Sequence, residues 1–115
     1  MLVLLGLVSC NFDKLPEPTV ADACEILQPV YEGQIEAIIE RSCSYDGCHT
    51  GGAAIGDYTT YQSMVTALED GKISTRIFNI GDMPPDYAPD GKPKELPEEE
   101  LELIECWIAN GFPEN

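Results

Sequence analysis

Two thiols and the only histidine of the chain fall within the run Cys43-Ser44-Tyr45-Asp46-Gly47-Cys48-His49. The histidine follows the second cysteine directly. Two cysteines with a histidine next to the second form the c-type haem attachment signature, most often with two residues between the cysteines. Here four residues separate them. In that chemistry the two thiols form thioethers with the two vinyl groups of haem. The following imidazole is then held beside the iron as an axial ligand. Gly47 gives the longer loop a residue that takes positive φ at no steric cost. The same three side chains are also zinc-ligand types. Adjacent Cys48 and His49 suit one tetrahedral ion badly, and no second Cys-x-x-Cys or histidine pair exists to complete a site.

These residues need elements to position them. The spacing predicts an amphipathic helix over 30–42, with Ile35, Ile38, Ile39 and Ser42 on one face and Glu32, Glu36, Glu40 and Arg41 turned outward. Pro29 stands just ahead of it, and the helix runs directly into Cys43. After His49 the small residues Thr50 to Gly56 let backbone lie close to something flat. A second helix is expected over 59–70, capped by Thr59 or Thr60 and ended by Gly71, with Tyr61, Met64, Val65 and Leu68 as its stripe. Residues 72–80 read equally as a short helix or an extended segment. Residues 81–96 are a loop dense in proline and glycine. The clearest helix spans 97–110, with Glu98, Glu99 and Glu100 at its N-terminus, where the macrodipole favours negative charge. Leu101, Ile104 and Ile108 form its stripe, widened by Leu103 and Trp107, and Gly111 and Pro113 end it.

The runs CSYDGCHTGG, GDMPP and WIANG together resemble the small monohaem cytochrome c domains, in particular bacterial cytochrome c-like lipoproteins. The resemblance covers about Gln28 to Phe112. It implies an all-α, cytochrome c-like fold of three to four short helices with long loops around one covalently bound haem c. It implies that Cys43 and Cys48 carry the haem, and that His49 and Met83 bind its iron. Met83 lies between Asp82 and two prolines that stiffen the backbone, whereas Met64, the other candidate, sits on a periodic helical face. Many members of the family place a proline after the histidine, whose preceding carbonyl accepts the second ring proton. None stands there in this chain, so another carbonyl must orient His49. In the resembled fold the first and last helices pack together, which implies a Cys24–Cys106 disulfide. Closing a loop of about 80 residues is worth roughly 4 kcal/mol in the chain-entropy argument.

The length allows one domain. Residues 1–9 read as a secretory signal, and Leu7-Val8-Ser9-Cys10 resembles a bacterial lipobox with Cys10 as the lipidated residue. Residues 10–27 then form a lipid-anchored tether, and 28–115 the domain. Such a protein is exported, as a periplasm-facing or outer-membrane lipoprotein, into a compartment where disulfides persist. A net charge of −15 with six basic residues argues against nucleic acid and against docking on anionic lipid. It suits a redox partner with a basic surface. The leading function is therefore electron transfer without catalysis. The alternative is a haem-free, disulfide-stabilised interaction module in which Cys43 and Cys48 are bonded and Met83 only packs.

Overall fold

Thr19 opens the first helix. Its hydroxyl accepts from the Asp22 amide at 3.3 Å, and the Asp22 carboxylate accepts from the Thr19 amide at 3.0 Å. This reciprocal capping box starts α1, Val20–Ile26. The computed structural model describes residues 15–17 and 19–115. The expected signal segment and the Cys10 anchor lie outside the described residues.

The architecture is all-α. Five helices occur, and no strand is present among the described residues. That is more than the three to four expected, because α1 forms within the stretch read as a tether. Its seven residues are too few to show a period, and tertiary contacts hold it. Cys24 is bonded to Cys106, 82 residues away. The Asn110 side-chain amide donates to the carbonyls of Cys24 and Leu27, at 3.3 Å each.

α2 spans Glu36–Ser42 and is shorter than its apolar pattern suggested. The preceding Tyr31–Ile35 forms one wide turn, in which Glu32 and Gly33 leave helical geometry, Gly33 with φ 103°. The Tyr31 and Glu32 amides donate to the carbonyls of Pro113 and Glu114, both at 2.9 Å, so this stretch is tied to the C-terminal tail. The expected inner face is nonetheless kept: Ile35, Ile38, Ile39 and Ser42 are all buried.

α3, Tyr61–Glu69, begins at a second capping box between Thr60 and Ser63 and buries Met64 and Leu68. Gly71, at φ 70°, turns the chain into α4, Lys72–Ser74, which continues through Thr75–Ile80 in wider turns. The ambiguous 72–80 stretch is thus helical. α5, Glu98–Ala109, carries three glutamates in its first turn and buries Ile104, Cys106 and Trp107. The Trp107 indole donates to the Pro113 carbonyl at 2.9 Å, which fixes the tail that pairs with Tyr31 and Glu32. Arg41 at the end of α2 pairs with Glu100 of α5. Ile35, Met64, Ile104 and Trp107 form the centre of the core where α2, α3 and α5 meet. No helix among the described residues is long and apolar enough to cross a membrane.

Candidate cofactor-binding site

α2 delivers the chain to the cysteine loop. The amides of Cys43 and Ser44 both donate to the Ile39 carbonyl, at 2.8 and 2.9 Å, and the helix ends there. The Cys48 amide donates to the Tyr45 carbonyl at 2.9 Å, and Gly47 takes φ 91°. The His49 amide then donates to the Cys43 carbonyl at 3.0 Å. That bond closes the four-residue spacer and returns the histidine to the first cysteine. The longer spacing therefore gives a compact loop.

Cys43 and His49 line a cavity of about 560 Å³. This falls within the roughly 300–1,000 Å³ usual for small-molecule and cofactor sites. Met83 lines the same cavity, although 34 residues separate it from His49. Met64 does not: it is fully buried in the core. Ile39, Ile73 and Ile77 supply apolar wall, and Lys72 and Arg76 bring two cations to it. Cys48 is half-buried and is not part of the lining. It sits in the loop beside Tyr45, whose ring lies 4.5 Å from the Lys92 ammonium. Burial, with Cys48 adding to it, pushes the Tyr45 phenol up to about 12.

The Met83 loop is fastened to α4. The Arg76 guanidinium donates to both Asp82 carboxylate oxygens, at 2.7 and 2.6 Å, and the Asp82 amide donates to the Arg76 carbonyl at 3.1 Å. Such a fork fixes geometry as well as charge. It sets the residue before Met83, and the buried Pro84 and Pro85 set the residues after it.

His49 finds the carbonyl it requires at Gly56. Its Nδ1 lies 3.1 Å from the Gly56 oxygen. A carbonyl only accepts, so Nδ1 carries the proton and Nε2 keeps its lone pair free for a metal. Burial holds the imidazole below the ordinary histidine range, so it is neutral and available as a donor at neutral pH. The Tyr58 ring stacks on it, with centroids 4.0 Å apart and planes 9° apart.

Cys43 and Cys48 are free thiols, whereas Cys24 and Cys106 are bonded. Burial pushes the Cys43 thiol up to about 12. Among the described residues, no three His, Cys, Asp or Glu side chains converge to hold a metal ion. Cys43, His49 and Met83 bring a thiol, an imidazole with a free Nε2 and a thioether to one cavity, and the Cys48 thiol stands outside its lining.

The sequence pointed to Cys43, Cys48, His49 and Met83; the fold brings Cys43, His49 and Met83 to one cavity and leaves Cys48 off its lining. It missed Gly56, Tyr58 and the Arg76–Asp82 fork. The run of small residues after His49 signalled a close backbone approach, but not which carbonyl would make it. Nothing in the sequence singled out Tyr58. No family model, curated protein or solved structure matches this chain.

Proposed function

We propose that this protein is an electron carrier of the cytochrome c type, holding one haem c through Cys43 and Cys48 with His49 and Met83 as axial ligands. The observation that carries this reading is the convergence of Cys43, His49 and Met83 on one cavity, with Met64 held apart in the core. When bound, such a group supplies a one-electron iron couple. The chain's own residues do the rest. Gly56 holds the His49 proton at Nδ1 and leaves Nε2 free. The Asp82–Arg76 fork and the two prolines steady Met83. Ile39, Ile73 and Ile77 give the cavity apolar wall, and Lys72 and Arg76 line it while paired with Asp70 and Asp82. With both His49 and Met83 bound to it, such a group would offer substrate no open position, which suits electron transfer over catalysis. The free state of Cys43 and Cys48 also disfavours the haem-free module, which needs them bonded.

The test is chemical. Protein made in a host with haem c maturation machinery should keep its Soret band through acid–acetone extraction, with an intact mass of polypeptide plus one haem. A colourless polypeptide of apoprotein mass would sink the proposal.

The same reading places the protein outside the cytoplasm, anchored through lipid at Cys10, and gives it a basic redox partner. The chain holds 21 acidic and six basic residues. On α5, Glu98, Glu99 and Glu102 are exposed, yet no α5 residue lines the cavity. The carboxylates therefore act by steering from a distance. The second-order rate of electron transfer to a basic partner should fall steeply as salt rises towards physiological strength, where the screening length is about 8 Å. A rate flat across that range, in stopped-flow measurement, would remove the acidic surface from recognition.

A further inference from the structure

The His49 side chain has two soft torsions, and χ2 of histidine is broad. The bond from Nδ1 to the Gly56 oxygen, 3.1 Å, fixes one edge of the ring. It leaves the ring free to swivel about the line joining those two atoms. Something further must hold the plane.

We infer that Tyr58 is the positioning residue that holds the His49 imidazole plane, and that Gly56 is glycine so that Tyr58 can do so. The inference rests on the assignment of His49 as a ligand in the proposed function. The two rings lie nearly parallel, 9° apart, with centroids at 4.0 Å, so one imidazole face is covered. The Tyr58 amide donates to the His49 carbonyl at 2.9 Å, which ties the two backbones together as well as the rings. Tyr58 also packs against the core and lines the cavity, so it transmits the position of the core to the imidazole. Gly56 has φ 112°, which side-chain-bearing residues rarely adopt. A Cβ there would stand 3.3 Å from Tyr58 Cε1 and 3.7 Å from His49 Nδ1. It would press on the stacked ring while straining the carbonyl that the imidazole needs. Hydrogen bond, stack and glycine thus form one clamp. Face and edge are both fixed, and Nε2 is left as the only ring atom with a free lone pair.

The test compares Tyr58→Leu, which keeps apolar bulk, with Tyr58→Phe, which keeps the stack and loses only the hydroxyl. Both are made in a host that matures haem c. If the wild type carries covalent haem, the readouts are the low-spin g-values of the oxidised protein and its midpoint potential. Tyr58→Leu should broaden and shift the g-values and move the potential, and Tyr58→Phe should restore both. A side chain that only packs would lower the melting temperature in the leucine variant and leave g-values and potential unmoved; that result overturns the inference while the haem assignment stands. If the wild type is colourless, the haem assignment fails, and the clamp is read from the histidine ring alone. Nuclear Overhauser contacts of the His49 Cδ2 and Cε1 protons should then define a single ring orientation in wild type and Tyr58→Phe, and several averaged orientations in Tyr58→Leu. A single, wild-type ring orientation in the leucine variant overturns the inference in that arm.

Discussion

Replacing Met83 with alanine should strip the oxidised, haem-loaded protein of its weak near-infrared methionine–iron band and lower its midpoint potential. Methionine ligation favours the reduced state, so its loss moves the couple downward. The argument is positional. Met83 lines the cavity shared by Cys43 and His49, on a loop fixed through Asp82 to Arg76. Met64→Ala should do something quite different. Met64 has no exposed surface and belongs to the central core, so its truncation leaves a void costing about 2–5 kcal/mol. Its spectrum should remain that of the wild type. The two variants therefore separate ligand loss from core damage. If the near-infrared band survives Met83→Ala and disappears in Met64→Ala, the sixth ligand has been assigned to the wrong methionine.

The largest effect on stability should come from the Cys24–Cys106 bond. It closes a loop of 82 residues, for which the chain-entropy argument gives about 4.5 kcal/mol. Changing both residues to alanine avoids leaving a buried thiol, since Cys106 is wholly shielded from solvent. For a domain near 100 residues, each kcal/mol moves Tm by roughly 4–8 °C, so a fall on the order of 20–35 °C is expected. Wild type and double variant are compared at the same haem loading. The loss should concentrate at α1, because the remaining ties to α5 are the two bonds from the Asn110 amide. Amide exchange would show α1 opening first. A Tm within a few degrees of wild type, with α1 still protected, would mean that packing alone secures the first helix.

The site was legible in the sequence to the extent that it is local. A C-x4-C-H run shows its two thiols and its imidazole together, because they are neighbours along the chain. Helices with several turns of apolar period were legible for the same reason: the inner faces of α2 and α5 repeat every three or four residues. The start of α3 was readable to within one residue: the sequence offered Thr59 or Thr60 as the cap, and Thr60 takes the role with Ser63.

What the sequence left undecided depended on distant partners. α1 is too short to declare itself by period, and it is held by Cys106 and Asn110, more than 80 residues away. α2 starts at Glu36 after the chain leaves helical geometry at Glu32 and Gly33, where Tyr31 and Glu32 pair with Pro113 and Glu114 of the tail, a long-range pairing that no local pattern encodes. The Met83 and Met64 side chains are chemically identical. Only the packing of α3 into the core and the fastening of the 81–96 loop beside α4 placed one at the cavity and the other away from it. The carbonyl that orients His49 belongs to a glycine seven residues on, and any residue can offer a carbonyl. Residue type fixed which atoms could bind. Backbone hydrogen bonds and core packing, which act between residues far apart in the chain, decided which of those atoms meet.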